Sequence, residues 1–542
     1  MFSEPVPLPP GANCLPLIWT YLIKLDGTKK SRCVCNGSKH QTGRVTIGET
    51  YAGNVDQYSS KVFWAGTAIH NYITIGADIT NAFAEAPPPT APLYVYVDDV
   101  YREWRRARGL SDIPKGYVLQ VQKGIQGHPE APRLWEKHID KVLRNKGLVP
   151  SKHEPCLYSG TYNGEHVLFL RQVDDFAISS RYTKTCYDLI ADINRDMKTK
   201  IKELGILTRF NGTDILQSRN FVKISNKTYI EKISKGKNIN QQQAAFPIPM
   251  ISDTKYQENI ETAEPANDDE LLELEKKYKF SYRQIIGELI YAMVTCRPDI
   301  SYPLIKLSQY CTTPSKLHFE AAQQILDYLV ATKDDGIYYW RQQPNLKLPY
   351  HQHQEPRDTN QIIPIDANAT SATTFVDSDW GGDRHHRKST TGYTILIAGG
   401  AVLYKTKFQS TIALSSTEAE FVSACDAGRC SLFIRSLLNH IQIPQDKATI
   451  IYEDNNGSIL MANAGKPTRR ARHLDLKHFA IQDWIEKDLL YLKWISTTNN
   501  CSDSLTKALG RILQYKHMDY IMGRVRPKYS HMRDTYDQPS PL

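Results

Sequence analysis

Short hydrophobic runs and longer amphipathic stretches alternate along the chain and predict a mixed α and β protein. Two apolar runs, Val167–Leu170 and Phe176–Ile178, flank a polar interruption that contains Asp174 and Asp175. Short apolar runs separated by a few polar residues are typical of a β-hairpin. The segment 282–293 instead repeats apolar residues every three or four positions, which predicts an amphipathic helix. The pattern therefore places two adjacent acids at the tip of a predicted hairpin.

The paired acids are a candidate metal site. Adjacent carboxylates repel one another, and burial beside apolar strands makes their ionisation more costly. Divalent cations offset that cost, and two of them can hold the attacking and leaving oxygens of a phosphoryl transfer. A third acid, Asp78, ends an apolar run and would complete such a site from a neighbouring strand. For the pair alone, a solvated Asp-Asp turn is the alternative interpretation.

These acids and the motifs around them resemble the palm of a reverse transcriptase of the copia-type (Pseudoviridae) LTR retrotransposons. Asp78 falls in the first acidic motif of that family, and the pair Asp174 and Asp175 falls in the second. The segment Gln126–Trp135 is similar to the family's glycine-and-proline segment, and Tyr282–Asp299 is similar to its connection region. The resemblance therefore rests on several separate motifs.

The resemblance covers nearly the whole chain, from about Trp19 to about Lys507. It implies the reverse transcriptase and ribonuclease H region of a Pol polyprotein, which copies an RNA template from a DNA primer with dNTPs and then cleaves the RNA strand of the RNA/DNA hybrid. The implied cofactor is Mg²⁺, two ions per active site, with Mn²⁺ as a substitute. The alternative is a catalytically inactive or truncated remnant of such an element that still binds nucleic acid.

The resemblance also implies substrate contacts in the polymerase part. Arg32 stands where the family places a cation against the incoming triphosphate, although an exposed strand arginine is an equal alternative. Phe83 stands where the family places a steric gate against the ribose 2′-hydroxyl. Gln172 replaces the aromatic residue that usually precedes the paired acids and contacts the primer end. Gln126 and Gly127 are the remaining predicted substrate contacts.

A second Asp-Asp pair, Asp98 and Asp99, resembles the polymerase signature in spelling, but its position argues against it. It lies 20 residues after Asp78, and the prolines in between leave no room for a palm helix. Asp174 lies 96 residues after Asp78, with an amphipathic helix predicted near residues 134–143 in between. We therefore expect Asp98 and Asp99 to form a solvated turn before a basic segment.

Four acids after residue 371 indicate a second metal site. Asp377 and Asp454 each end a predicted strand, Glu418 opens a predicted helix, and Asp503 directly precedes the segment Ser504–Lys507. The order of these elements resembles the ribonuclease H fold. By that resemblance the four acids bind two Mg²⁺ ions that activate a water against an RNA phosphodiester.

Each of these four assignments has an alternative. Glu418 and Glu420 both fit a capping box, so either could simply cap the helix. Asp503 could itself cap a helix. Asp379 or Glu453 could be the ligand in place of its neighbour. The four acids in order are a stronger indication than any one of them.

Composition agrees with a nucleic-acid enzyme without requiring one. The net charge of +9 suits a polyanionic partner, because Lys and Arg release counterions from phosphates. The ten scattered cysteines favour a reducing, intracellular compartment, which we expect to be a cytoplasmic particle or the nucleus. No apolar run reaches the length of a membrane span. The basic stretch Arg469–His478, in which His473 and His478 flank Asp475, is predicted to contact the hybrid backbone, with a solvated face as the alternative.

The predicted fold is an α+β right-hand polymerase, with fingers, palm, thumb and connection, followed by an α/β ribonuclease H-like domain. No protease or integrase motif occurs, so we expect the chain to derive from a longer polyprotein that contains both. The predicted boundaries are 1–205 for fingers and palm, 206–280 for the palm end and thumb, 281–340 for the connection, 341–370 for a linker, 371–515 for the ribonuclease H-like domain and 516–542 for a C-terminal tail.

Overall fold

The computed structural model describes the chain except for residues 24–26, 39–45, 240–247, 352–353, 355–369, 384–385, 464–474 and 527–542. The described strands, in chain order, are β1 (Val6–Pro7), β2 (Asn13–Ile23), β3 (Lys29–Cys35), β4 (Ile73–Ile79), β5 (Leu93–Tyr96), β6 (Tyr117–Gln120), β7 (Leu148–Pro150), β8 (Leu157–Tyr162), β9 (Glu165–Gln172), β10 (Asp175–Ser180), β11 (Ile201–Ile206), β12 (Arg209–Phe210), β13 (Thr213–Gln217), β14 (Phe221–Ser225), β15 (Gly336–Trp340), β16 (Thr373–Asp379), β17 (Thr390–Ile397), β18 (Gly400–Phe408), β19 (Thr449–Glu453) and β20 (Leu490–Trp494).

The described α-helices, in chain order, are α1 (Gln57–Ile69), α2 (Asp99–Ala107), α3 (Ala131–Asn145), α4 (Thr183–Asp196), α5 (Lys227–Ser234), α6 (Thr254–Thr262), α7 (Asp268–Tyr278), α8 (Tyr282–Cys296), α9 (Ser301–Ser308), α10 (Lys316–Ala331), α11 (Ser416–His440), α12 (Asn456–Asn463), α13 (Asp475–Glu486) and α14 (Arg511–Ile521). None of these described helices combines the length and hydrophobicity that a membrane-spanning helix requires.

The elements form two compact units. Unit 1 contains residues 1–55 and 74–206, and unit 2 contains residues 56–73 and the described chain from 207 onward. Unit 1 holds two sheets, with strand orders β1-β6-β5-β2-β3 and β11-β4-β10-β9-β8-β7. In the second of these sheets β9 and β10 pair antiparallel, with Gln172 opposite Asp175. The hairpin predicted around the paired acids is therefore present, and its tip carries them.

Six helices of unit 2, α5 to α10, pack around an apolar core. Aromatic rings fill its centre, because Phe280 and Phe319 stack with centroids 5.7 Å apart, and Tyr282 lies 5.3 Å from Phe319. A four-stranded sheet, β12-β13-β14-β15, lies in the same unit. Its first three strands precede these helices in the sequence, and β15 follows them.

The C-terminal sheet of unit 2 has the strand order β18-β17-β16-β19-β20. Strands β16, β17 and β18 pair antiparallel, whereas β19 is parallel to both β16 and β20. The long helix α11 connects β18 to β19 and packs against β16 and β17. This order and these directions are those of the predicted ribonuclease H-like domain.

The compact units differ from the predicted boundaries in one internal segment. Residues 56–73 lie within the predicted fingers and palm, but α1 packs in unit 2 against β14, β15, β18 and α11. The reason is the buried surface of the helix, on which Lys61, Phe63 and Trp64 are each at most 1% exposed. Such a helix must be packed against other elements on several sides, and the sequence pattern alone did not identify those elements.

Near the C-terminal domain, one predicted segment falls largely on residues that are not described, and one predicted boundary falls inside an observed helix. The predicted linker 341–370 lies largely outside the described residues. The elements on either side of it are in direct contact, because Trp340 N–H donates to Ala398 O at 2.7 Å and Tyr339 Oη–H donates to Ala401 O at 2.9 Å. Helix α14 continues past the predicted domain end at residue 515 to Ile521.

Candidate active sites

The tip of the β9–β10 hairpin is a two-residue turn of Val173 and Asp174. Val173 has a φ of 55°, which is rare for a β-branched residue and strains the backbone. The indole N–H of Trp135, on α3, donates to Val173 O at 2.8 Å and fixes this turn. Sequence reasoning did not find Trp135, because only the folded chain brings α3 against the hairpin.

Three acids meet beside this turn. Strand β4, which carries Asp78, is the neighbour of β10, and Ile79 N–H donates to Asp174 O at 3.2 Å. Burial raises the pKa of Asp174 to about 6, and repulsion from Asp78 and Asp175 adds to the shift. Burial also raises the pKa of Asp175, with a further contribution from Asp78. The structure therefore brings the three predicted acids into one electrostatically coupled group.

Within this group, Asp174 offers a bound cation a buried ligand atom. Asp174 Oδ1 is buried and has no hydrogen-bond partner within the described part of the chain. A buried carboxylate oxygen without a donor is costly unless a cation or a proton satisfies it. Oxygen ligands from two or three carboxylates are also the set that Mg²⁺ prefers.

The predicted substrate contacts of unit 1 occupy different environments. Arg32 lies on the edge strand β3, opposite Thr20, and its charge lowers the pKa of Asp174 against the effect of burial. Phe83 lies in the short 3₁₀ helix 82–84 and is half-buried. The side chain of Gln172 is hydrogen-bonded to the backbone, because its Oε1 accepts from Val55 N–H at 3.0 Å.

Gln126 and Gly127 contact the first sheet through their backbone. Cys35 N–H donates to Gln126 O at 2.8 Å. Gly127 has a φ of 92°, and a Cβ there would lie 2.0 Å from Cys35 O. Only glycine fits this approach, so the two residues hold the strand that carries Arg32. Their predicted contact with substrate stays a prediction.

The second Asp-Asp pair has a local structural role. Asp98 is the N-cap of α2, and its Oδ1 accepts hydrogen bonds from Tyr101 N–H at 2.8 Å and from the Trp19 indole N–H at 3.3 Å. Asp99 is the first residue of the helix. A carboxylate that caps a helix satisfies backbone donors that otherwise lack partners. The pair thus starts a helix, where the sequence predicted a solvated turn.

Unit 2 contains a second group of acids. Carboxylate oxygens of Asp377, Asp454 and Asp503 lie within 4.8 Å of one another, and so do those of Glu420, Glu453 and Asp454. Asp377 lies on β16 and Asp454 directly follows β19, which is parallel to it. Three of the four predicted acids are therefore brought together.

The structure does not bring Glu418, the fourth predicted acid, into these groups of described acids, and it places Glu420 there instead. Helix α11 begins after Ser415, whose Oγ accepts from Glu418 N–H at 3.1 Å, and Glu418 Oε2 accepts from Leu414 N–H at 2.9 Å. Glu418 thus serves the helix terminus. Glu420 lies two residues further around the helix, which turns its carboxylate towards Glu453 and Asp454.

Burial and mutual repulsion dominate the electrostatics of this second group. Burial raises the pKa of Glu420 far above its usual range, with added repulsion from Glu453 and Asp377. Burial likewise raises the pKa of Asp503. Glu420 Oε2 and Glu453 Oε2 are buried without a hydrogen-bond partner in the described chain. These oxygens fit a cation for the same reason as Asp174.

Lys507, which the sequence did not single out, is the nearby positive charge. Its Nζ lies 3.2 Å from Asp503 Oδ1 and 3.9 Å from Asp377 Oδ2.

Of the two alternative ligands, Glu453 joins the group of acids. The carboxylate of Asp379 instead packs against Gly382, where a Cβ would lie only 1.9 Å from Oδ2. Of the basic stretch Arg469–His478, residues 469–474, which include His473, and the side chain of His478 lie outside the described residues.

Comparison with known proteins shows which family the first half of the chain matches and which proteins the chain is similar to. Residues 3–252 match the family described as reverse transcriptase (RNA-dependent DNA polymerase). Over 93% of its length the chain is 26% identical to the retrovirus-related Pol polyprotein from transposon TNT 1-94 of Nicotiana tabacum. It is 24% identical, again over 93% of its length, to the corresponding polyprotein from transposon RE2 of Arabidopsis thaliana. The predicted resemblance to a copia-type retrotransposon Pol polyprotein is therefore confirmed: residues 3–252 match a reverse transcriptase family, and similarity to such polyproteins extends over most of the chain.

The chain spans about a third of these relatives, 35% of the tobacco polyprotein and 32% of the Arabidopsis one. Among solved structures it is similar to the foamy viral protease-reverse transcriptase in complex with double-stranded DNA, with a TM-score of 0.44, 13% identity, and coverage of 91% of this chain and 79% of that one. For the complex of that protein with an RNA/DNA hybrid, the TM-score is 0.41 at 13% identity, and the coverage is 89% and 50%.

The predicted fold class is confirmed. The reverse transcriptase family match covers both sheets of unit 1, and the C-terminal sheet combines antiparallel and parallel strands with the long helix α11, as expected for an α/β domain after an α+β part.

Proposed function

We propose that the chain is an RNA-directed DNA polymerase that extends a DNA primer on an RNA template with dNTPs. The observation that supports this most directly is the convergence of Asp78, Asp174 and Asp175 at a strained turn, with one buried carboxylate oxygen left without a donor. Bound Mg²⁺, or Mn²⁺ as its substitute, would supply electrostatic stabilisation to the reacting phosphates.

The protein's own contribution is positioning and charge, which dominate catalysis of phosphoryl transfer. Asp78, Asp174 and Asp175 would hold the ions. The guanidinium of Arg32 carries the charge needed to bind the triphosphate, and it already acts electrostatically on Asp174. Phe83 would exclude a 2′-hydroxyl. Gln172, two residues before Asp174, accepts a hydrogen bond from Val55 N–H. It would therefore stabilise the hairpin, where the family's aromatic residue would contact the primer.

Primer extension tests this proposal. The full chain is mixed with a labelled DNA primer on an RNA template, dNTPs and Mg²⁺, beside Asp78→Asn and the matched control Asp188→Asn, a partly exposed acid on α4 that pairs with Lys184. We expect extension by the wild type and the control and a loss of at least ~100-fold for Asp78→Asn, comparable to losing a major electrostatic stabiliser. A folded wild type that does not extend primers would favour the inactive remnant.

We also propose that unit 2 cleaves the RNA strand of RNA/DNA hybrids. The group of Asp377, Glu420, Asp454 and Asp503 supports this, because buried carboxylates at adjoining strand ends suit two-ion hydrolysis of a phosphodiester. Glu453 approaches Glu420 and Asp454 and is fully buried, so we assign it a supporting role.

Cleavage by Glu420→Gln and Glu418→Gln provides a matched test of this second activity. Glutamine at 418 keeps an oxygen to accept from Leu414 N–H, so cleavage should persist within a few-fold. Glutamine at 420 removes a negative charge from the group, so cleavage should fall by at least ~100-fold. The reverse result would restore the assignment of Glu418.

The source in a longer polyprotein with protease and integrase, and an intracellular location, remain predictions.

A further inference from the structure

Two residues just before the paired acids of unit 1 are held by neighbouring residues of α3. Val173 O accepts from the indole N–H of Trp135 at 2.8 Å, and Arg171 Nη2 donates to Glu136 Oε1, also at 2.8 Å. Both contacts lie within three residues of Asp174 in the sequence. The β9–β10 hairpin is therefore fixed to one helix at two points, directly beside the acids of the proposed polymerase site.

The second of these contacts is a buried ion pair. The side chains of Arg171 and Glu136 are only 2% and 7% exposed. A buried ion pair is often no more stabilising than apolar side chains of similar volume, because both charges lose their hydration. Such a pair does fix one geometry, because each charge is costly unless the other stays in contact with it. A role in geometry therefore accounts for this pair better than a role in stability.

Glu136 also holds a second segment of unit 1. Its Oε1 accepts from Gly53 N–H at 3.1 Å, and the thiol of Cys156 donates to Gly53 O at 3.3 Å. A Cβ on Gly53 would lie 3.0 Å from Glu136 Oε1, a closer approach than an ordinary contact, which favours glycine. Two residues later, Val55 N–H donates to Gln172 Oε1. This segment and the hairpin are thus joined twice, through Glu136 and through Gln172.

We propose that Glu136 and Arg171, here called the Glu136 clamp, are positioning residues that fix where Asp174 and Asp175 present their carboxylates. The clamp holds the end of β9 against α3, so that these carboxylates are in place before a divalent cation binds. Groups that orient metal ligands change metal affinity and rate without contacting the metal. The inference rests on the proposed primer extension, and it adds two residues that the sequence did not indicate as part of a site.

Hydrogen exchange tests the clamp without any reaction. The full chain is labelled in EDTA, and mass spectrometry follows the peptide that covers the β9–β10 turn. Arg171→Met removes the donor and should speed exchange in that peptide about tenfold, because local opening becomes easier. Peptides from β7 and β8 of the same sheet should change much less. The control Arg144→Gln, which removes a partly exposed ion pair with Asp140 on the same helix, should leave exchange at the turn unchanged.

Primer extension at varied Mg²⁺ concentration gives the second measurement. Arg171→Met should raise the Mg²⁺ concentration at half-maximal rate by about tenfold or more, the usual effect of losing a residue that orients metal ligands. The KM for primer and template at saturating Mg²⁺ should change by less than about threefold, because the clamp does not contact them. Arg171→Lys keeps a cation for Glu136 and should recover most of the loss.

A double substitution separates positioning from stability. In Glu136→Met combined with Arg171→Met, apolar side chains replace both buried charges, so thermal stability should return close to that of the wild type. Methionine offers no strong acceptor to Gly53 N–H and no donor, so the raised Mg²⁺ requirement and the faster exchange at the turn should remain. If both recover together with stability, the pair serves stability alone and the clamp is wrong.

Two further outcomes distinguish the clamp from the proposed function. If the wild type extends primers and Arg171→Met matches Arg144→Gln in exchange and in Mg²⁺ requirement, the clamp is wrong and the polymerase function stands. If exchange at the turn rises as expected in Arg171→Met but the wild type extends no primer, the proposed polymerase function is wrong and the clamp stands.

Discussion

At the scale of single residues, both sites bury several like charges and differ in the positive charge that faces them. Asp174 is opposed by Arg32 and Lys30, which act at a distance from the edge strand β3. In unit 2, Lys507 is in direct ion-pair contact with Asp503. The cations of the first site therefore act on the acids by charge alone, whereas the cation of the second site forms an ion pair with one of them.

Sugar selection in the polymerase is expected to rest on Phe83. A ring beside the sugar leaves no volume for a 2′-hydroxyl, so Phe83→Val should admit ribonucleotides, with a loss of selectivity of ~2–4 kcal/mol, or tens- to several-hundred-fold. The ratio of kcat/KM for dNTP and rNTP incorporation measures this. Phe2→Val, at another half-buried phenylalanine of unit 1, should leave the ratio unchanged. An unchanged ratio in Phe83→Val would place the gate elsewhere.

The sequence was sufficient to predict the acids at strand ends that come together, but it was not sufficient to predict the direction of the side chains on α11. Asp78, Asp174 and Asp175 could be predicted because strand ends fix where a carboxylate lies. Glu418 and Glu420 could not be distinguished, because the choice depends on where α11 begins. The start at Ser416 directs Glu418 to the helix terminus and Glu420 to the acids.

At the scale of elements, a buried ion pair ties the helices of unit 2 together. Arg297 and Asp299 are fully buried, and Arg297 Nη2 lies 2.6 Å from Asp299 Oδ2. Tyr328, on α10, donates to the same oxygen at 2.7 Å, so the pair joins the end of α8 to α10. Sequence similarity indicated only that this segment belongs to the connection.

Asp299→Ala should therefore lower the free energy of unfolding by about 3–5 kcal/mol, because it leaves a buried guanidinium without its partner. Urea unfolding followed by circular dichroism measures the change. Asp188→Ala removes the partner of Lys184 in an exposed i,i+4 pair and should cost less than about 1 kcal/mol. Equal effects of the two substitutions would contradict the structural role of the buried pair.

Helix α1 provides the second element whose packing the sequence did not predict. Its Lys61 is buried, donates to Val294 O at 2.8 Å and lies 5.0 Å from the Tyr404 ring centroid. Short-range periodicity shows that such a helix has a buried face. It does not show that β14, β15 and β18, which follow it by more than 150 residues, supply the cover.

This packing predicts a dependence of stability on pH. Burial lowers the pKa of Lys61 to about 8, below the 10.5 of an ordinary lysine. The unfolded chain therefore binds more protons between these values, and the stability contributed by this site rises as pH rises through that window. Relative to Lys61→Met, the wild type should gain about 2 kcal/mol of unfolding free energy between pH 7.5 and pH 10.

Chemical denaturation of both proteins at the two pH values measures that difference. Lys184→Met, at an exposed lysine, should show the same pH dependence as the wild type. A wild type that does not gain stability relative to Lys61→Met would contradict the buried, weakly basic state of Lys61.

At the scale of the whole molecule, the two groups of acids lie in different compact units. Asp78, Asp174 and Asp175 belong to unit 1, and Asp377, Glu420, Asp454 and Asp503 belong to unit 2. The two activities should therefore be separable by single substitutions. Asp454→Asn should abolish cleavage of RNA in a hybrid and leave primer extension largely intact, as measured in parallel assays of one preparation. Loss of both activities together would contradict the assignment of two independent sites.

The central claim is that position in the fold, and not motif spelling, identifies the polymerase acids. Primer-extension rates of Asp174→Asn and Asp98→Asn, measured side by side on an RNA template at saturating Mg²⁺, test it most directly. Asp174→Asn removes a predicted metal ligand and should cost at least ~100-fold. Asp98→Asn keeps an oxygen to cap α2 and should change the rate by less than about twofold, since such a change costs little stability. If Asp98→Asn abolishes synthesis while Asp174→Asn is tolerated, the account is wrong.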